Sequence, residues 1–296
     1  MEVNRFKAKI TPYLFIGPAV ILLLIFSFLP ILVSLAISFT DMNLSGLANW
    51  SQINFIGFDN FITLFKDEVF LKSMRNTFFY VIIGVPAAVI SSFVIALLLK
   101  FVSDWMSSAF RVVYYLPSVT NIVAIAVVWG FLYNQEYGLF NYLLSLFEIN
   151  AISWLEDPLI AKLSLILLTV WKSNGVSMLI FLAALQSIPK MYYEAADIDG
   201  ANRWQKLCRI TLPSMRFATF FVTVTTVIGW LQFFEEPFVM TEGGPLNGTN
   251  SMALFIYQEG FQYSEFGYGA AASFILFIII ILATVVQFIL RKSDEN

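Results

Sequence analysis

The chain has 296 residues, of which 59% are hydrophobic, 17% aromatic and only 12% charged, against about 25% charged in ordinary soluble domains. Too little charged surface remains to disperse such a chain in water, so a bilayer must be its solvent. With no histidine and one cysteine, Cys208, the sequence excludes an intrachain disulfide, a Cys/His zinc site and a Ser-His or Cys-His couple, and a formal net charge of -3 offers no basic excess for nucleic acid.

A spanning helix needs about 20 predominantly apolar residues. Six such runs follow one another, over 13–39, 76–99, 110–133, 159–185, 217–240 and 267–290. Arg5, Lys7 and Lys9 precede the first as they would a secretory leader, but its apolar run is too long for an h-region and no small-residue cleavage site follows, so it reads as a retained span. Prolines 18, 30, 86 and 117 fall within or at the edges of spans, where neighbouring helices absorb a lost hydrogen bond. No internal repeat or low-complexity linker is visible, so 1–296 reads as a single all-α integral membrane domain.

Six spans put both ends of the chain on one side, and the lysines and arginines decide which. Twelve of the 17 stand in the N-terminal tail, beside the second loop (Lys100, Arg111), in the fourth (Lys190, Arg203, Lys206, Arg209, Arg216) or at the C-terminal end (Arg291, Lys292). The first loop has only Lys66, Lys72 and Arg75, and the third and fifth carry glutamates but no Lys or Arg. Both termini are therefore expected in the cytoplasm. In the first outer loop Trp50, Phe55, Phe58 and Phe61 read as an aromatic belt at the interface.

The fourth loop, 187–213, is the most informative stretch. Pro189 suits a first helical turn, Gly200 a C-terminal cap and Pro213 a stop before the next span, so it reads as two short helices. Ala196 and Gly200, four apart, share a face with almost no bulk, which another protein can approach closely. Trp204, Leu207, Cys208 and Leu212 fall at helical spacing with Arg203, Lys206 and Arg209 on another face. On physics alone, an amphipathic loop lying on headgroups fits as well as a docking surface.

These residues nevertheless resemble a specific family. Glu194-Ala195-Ala196, three residues, Gly200, nine more, then Ile210, Leu212 and Pro213 reproduce the EAA motif, EAA-x3-G-x9-I-x-LP, of permease subunits in binding-protein-dependent ABC importers. Tyr13 to Ala19, Asn60-Phe61, Asn76-Thr77, Phe234-Glu235-Glu236-Pro237 and Gly243-Gly244-Pro245 are similar to the carbohydrate branch, the MalF/UgpA type that pairs with a second, related permease. The resemblance implies the transmembrane-domain fold of a type I ABC importer, six helices with a cytoplasmic coupling helix, in a bacterial cell membrane. It implies that Tyr193, Glu194, Ala195, Ala196, Asp199, Gly200, Ile210, Leu212 and Pro213 couple to a cytoplasmic ATPase. The implied partners are the second permease, two ATPase subunits, an extracytoplasmic solute-binding protein and membrane lipid, with a carbohydrate as cargo. The chain has no Gly-Lys dipeptide and hence no P-loop. ATP and Mg are expected in the partner ATPase, with no cofactor and no enzymatic activity in this chain.

The substrate path is less legible. Lys172 lies near the middle of the fourth span, where a cation costs about 2.5–3.5 kcal/mol unless it faces a cavity or a partner. With Asn174, and with Trp230, Gln232, Glu235 and Glu236 at the outer end of the fifth span, it makes a polar and aromatic set suited to sugars; the alternative is a lysine paired to a neighbouring helix and Gln232 as interhelical glue. The fifth outer loop, with Gly243, Gly244 and Pro245, is a shaped turn, and the resemblance makes it the leading candidate to meet the binding protein. Two competing readings remain at this level. A secondary transporter driven by an ion gradient wants carboxylates within its spans, and an intramembrane hydrolase would need Glu235 and Glu236 to flank one bond although helix neighbours point about 100° apart.

Overall fold

The computed structural model describes Tyr13 and residues 15–293; the basic N-terminal tail with Arg5, Lys7 and Lys9 lies outside the described residues. The main helices in chain order are α1 (Phe15–Ile37), α2 (Glu68–Leu99), α3 (Asp104–Val119), α4 (Ile122–Leu132), α5 (Pro158–Gln186), α6 (Lys190–Ile198), α7 (Arg203–Ser214), α8 (Arg216–Leu231), α9 (Glu235–Thr241) and α10 (Phe266–Ser293). Helices α1, α2, α5 and α10 are each long and apolar enough to cross a bilayer. The pairs α3–α4 and α7–α8 qualify as bent spans, with angles of 101° and 66°, which brings the crossings to six if each pair crosses once.

The ends of α1, α5 and α10 fall within three residues of the sequence expectation. Helix α2 begins earlier, at Glu68, whose carboxylate suits a first helical turn. The expected third span, 110–133, is not one rod. Pro117 sits in the last turn of α3, Thr120 turns extended, and Asn121 starts a new helix by accepting a hydrogen bond from the Val123 amide at 2.8 Å. The expected fifth span, 217–240, is also interrupted. Helix α8 stops at Leu231, Gln232 to Phe234 leave the helix, and α9 restarts with Glu235 and Glu236 in its first turn.

The chain forms two compact units where the sequence reads as one domain: Met1–Asp67 with Ile256–Ile275, and Glu68–Phe255 with Leu276–Asn296. In the first, the Asn60 side-chain amide donates to the carbonyls of Ser38 and Thr40, each at 2.9 Å, and the Gly267 amide donates to Met42 O at 2.8 Å. Phe39 gathers Phe58 and Phe61 at 5.3 and 5.5 Å, while Trp50, Phe55 and Phe58 stay exposed. The side-chain amide and the backbone N–H of Asn54 both donate to Asp41, holding its carboxyl below the usual carboxylate range.

In the second unit, α2, α5 and α8 surround a core that includes Ala96, Met178, Phe181, Leu185, Met215 and Val222. Lipid tails are as apolar as leucine, so close packing and interhelical hydrogen bonds must hold such helices together. Gly175 shows how close the packing is. A Cβ there would stand 2.4 Å from Tyr114 O and 2.6 Å from Tyr115 Cα, so α5 and α3 meet backbone to backbone. Beside it, the Ser118 hydroxyl donates to Lys172 O at 2.8 Å.

Candidate functional site

A cavity of about 490 Å³ opens in the second unit between α5, α8 and the break before α9. Lys172 reaches into it and binds both carboxylates of the α9 first turn, Glu235 Oε2 at 2.8 Å and Glu236 Oε1 at 3.2 Å. Glu236 is buried, with 6% of its side chain exposed, whereas Glu235 is 59% exposed. The lining also includes the hydroxyl-bearing Ser118, Thr169, Ser173, Ser177, Thr225 and Thr226, the amide-bearing Gln232, the aromatic Trp230, Phe233 and Phe234, and Val176 and Gly229. The wall therefore combines acceptors, donors and aromatic faces, which is the chemistry that a polyhydroxylated ring requires.

Five of the six path residues expected from the sequence, Lys172, Trp230, Gln232, Glu235 and Glu236, line this one cavity. Asn174 does not. Two residues beyond Lys172 is about 200° around a helix, and Asn174 turns to α2, where its Oδ1 accepts from the hydroxyls of Ser91 and Ser92 at 2.8 and 2.9 Å. It is interhelical glue. Trp230 is a wall rather than an open platform, since its ring lies where a Cβ on Gly84 would stand 2.3 Å away and stacks on Phe233 at 5.2 Å. Lys172 satisfies both sequence alternatives at once, being paired and facing a cavity. The same ion group draws Glu235 and Glu236 together onto one lysine, which is not the flanking geometry of a hydrolytic pair. Sequence reasoning missed the hydroxyl lining and the partners of Lys172. The signal was Glu235-Glu236-Pro237, an acidic first turn with an early proline that marks a helix start inside an apolar run.

At the other end of the unit, α6 and α7 form a helical elbow. The Ala201 amide donates to Ala196 O at 2.8 Å and the Gly200 amide to Asp197 O at 3.1 Å, with Gly200 at φ +75°. This is a Schellman end, and the left-handed position calls for glycine. A Cβ at Gly200 would meet nothing within 4 Å, so the backbone demands glycine while the space beside it stays open. The expected shared helical face of Ala196 and Gly200 does not exist, because Gly200 lies past the last helical residue. Asn202 and Gln205 then open α7 with a capping box, and Lys206 pairs with Asp197 across the turn.

Within the EAA set, two residues face inward. Tyr193 bonds the Thr211 hydroxyl at 2.9 Å beneath Lys100, whose Nζ stands 4.1 Å from the ring centroid, and Ile210 packs on the core. These two fasten the elbow to the unit. Glu194, Ala195, Asp199, Gly200, Leu212 and Pro213 are exposed, and Ala196 is half-buried. Met191, Tyr192 and Ile198 add exposed apolar surface that the motif alone does not mark, with Ile198 88% exposed.

The loop after α9 is anchored rather than free. Asn76 donates to the carbonyls of Asn247 and Asn250 at 3.0 and 2.9 Å, Tyr80 to Thr249 O at 3.0 Å and Lys72 to Leu246 O at 2.6 Å. Gly243 adopts φ +85° and is buried against Asn250 and Leu254, and Gly244-Pro245 is a cis peptide. Gly243 and Pro245 thus shape the loop, and its outward surface falls to Leu246, 82% exposed, and Asn247.

A discontinuous membrane helix bundle with a charged internal cavity at its broken span and an exposed elbow at one end defines a transmembrane transport subunit. Residues 69–294 match the binding-protein-dependent transport system inner membrane component family, and the chain belongs to that family. Over 296 residues it is 34% identical to the probable ABC transporter permease protein YurN of Bacillus subtilis, covering 97% of this chain and 98% of that one. Over 288 residues it is 32% identical to the lactose transport system permease protein LacF of Rhizobium radiobacter, covering 96% and 94%. A permease chain in the crystal structure of a bacterial alginate ABC transporter, in complex with an alginate-pentasaccharide-bound periplasmic protein, superposes with a TM-score of 0.80 at 25% identity over 96% of this chain and 94% of that one. Members of the family are permease subunits and not themselves enzymes, and membership sets the ion-gradient-driven secondary transporter aside.

Proposed function

We propose that this chain forms half of the translocation path of an ATP-driven sugar importer, the other half coming from a second, related permease. An extracytoplasmic solute-binding protein delivers the saccharide to the outer face, where Leu246 and Asn247 of the loop shaped by Gly243, Gly244 and Pro245 offer it a contact. Two cytoplasmic ATPase subunits, which bind ATP and Mg, grip the elbow through Glu194, Ala195, Ala196, Asp199 and Gly200, while Tyr193 and Ile210 pass the motion to the core and Leu212 and Pro213 to the start of α8. Both termini then lie in the cytoplasm and membrane lipid surrounds the spans. A full reversal of the access equilibrium needs about 5.5 kcal/mol of differential affinity for the two states, which ATP bound at the partner's interface supplies.

The observation that carries this reading is the cavity at the broken span, where Lys172, Gln232 and Glu235 stand among hydroxyls and rings. In proteoliposomes holding both permeases and the ATPases, Gly200→Leu places a branched side chain in the open space beside the elbow and is expected to uncouple ATP hydrolysis from uptake. A Gly200→Leu complex that assembles and shows normal substrate-stimulated hydrolysis and uptake refutes the coupling assignment. Uptake by this chain without any ATPase refutes the whole scheme.

A further inference from the structure

The charges inside the cavity do not balance. Lys172 faces two carboxylates, and among the described residues no other ionisable side chain lines the space, so with all three groups ionised one negative charge is left over. The surplus has a definite address. Glu236 is sealed beneath the lysine, whereas Glu235 keeps more than half of its side chain open. Apolar walls formed by Val176, Trp230 and Phe233 exclude water from part of the surroundings and so extend the reach of that charge. An ionised carboxylate there accepts hydrogen bonds from sugar hydroxyls or ammonium groups and repels other anions.

We propose that this chain's side of the path passes uncharged and amino-bearing saccharides and turns away uronate and sulfonate sugars, with Glu235 setting the discrimination. The inference rests on the reading of the cavity as the sugar path.

Cys208 is the sole cysteine of the chain, so a Cys208→Ser background allows one reporter thiol in the cavity without knowledge of the cognate sugar. Thr225→Cys supplies it, at an exposed lining position. In nanodiscs containing both permeases and the ATPases, that thiol is titrated with methanethiosulfonates of similar size, one bearing trimethylammonium and one bearing sulfonate. Each rate is normalised to the rate with a free thiol. The cationic reagent is expected to react faster, and Glu235→Gln to lower the cation-to-anion ratio about tenfold, the effect of one unit charge at close range in a partly dry site. Gln232→Cys gives the same measurement if Thr225→Cys disturbs assembly. A normalised ratio of one or below, a ratio unmoved by Glu235→Gln, or thiols at both positions that neither reagent reaches overturns the proposal. Sugar uptake after labelling separates the two levels: uptake unaffected by the label removes the cavity from the path, whereas blocked uptake without charge preference refutes the charge inference alone.

Discussion

Replacing Lys172 with methionine keeps an unbranched apolar stem and removes the charge that ties α5 to the first turn of α9. Its Nζ stands 2.8 Å from Glu235 and 3.2 Å from Glu236. Losing one partner of a fully buried pair costs about 3–5 kcal/mol, mostly from the stranded counter-charge. Here Glu236 is buried but Glu235 is 59% exposed and the lysine 18%, so water recovers part of the loss. A penalty of about 2–3 kcal/mol is the working figure. The measurement is thermal unfolding of the purified permease complex, with a lowered midpoint for Lys172→Met. The stranded carboxylate makes a further demand: Lys172→Met/Glu236→Gln should regain most of the loss, and Lys172→Met/Glu235→Gln less, because Glu235 can turn to water. A double-mutant cycle reads the coupling directly. If Lys172→Met melts like the parent, or if removing Glu236 restores nothing, the ion group does not hold the broken span and the reasoning fails.

Three other outcomes follow from particular contacts. Gly175→Val forces side-chain atoms into Tyr114 O and Tyr115 Cα; separating α3 from α5 should cost at least about 1–3 kcal/mol, seen as a lower melting midpoint, and an unchanged midpoint would contradict the close approach. Gly84→Ala collides with the Trp230 ring and should lower both stability and uptake, while Gly84→Ala/Trp230→Phe recovers stability because the smaller ring vacates the overlap. Asp41, with its carboxyl held low by Asn54, contributes order that is fully present above the ordinary carboxylate range and is lost as pH falls below about 4. Hydrogen exchange at the Asn54 amide should therefore accelerate in acid, and Asp41→Asn should abolish that pH dependence.

The sequence displayed the helical class and the ends of α1, α5 and α10 to within three residues, because long apolar runs between charges leave a helix few other options in lipid. It hid both breaks. Hydropathy averages over Thr120-Asn121 and over Gln232 to Phe234, where an extended residue and a cap, or a short non-helical stretch, redirect the chain. For the site, residue type was informative and direction was not. Lys172 and Asn174 were equally good path candidates until helical phase sent one to the cavity and the other to Ser91 and Ser92. Likewise the EAA spacing marks the elbow but does not say that Tyr193 and Ile210 face inward, because that depends on Thr211, Lys100 and the core they meet.

The loop after α9 is gripped through its main-chain carbonyls, with Asn76, Tyr80 and Lys72 supplying the donors. The grip itself reads backbone, not side chains, although the left-handed backbone at Leu246 and Asn247, φ +52° and +56°, limits which residues those two positions accept. Under the proposed docking, the side chains at 246 and 247 can change among residues that tolerate this backbone while the loop keeps its seat, so docking preference would be re-tailored there without rebuilding the membrane helix that holds it.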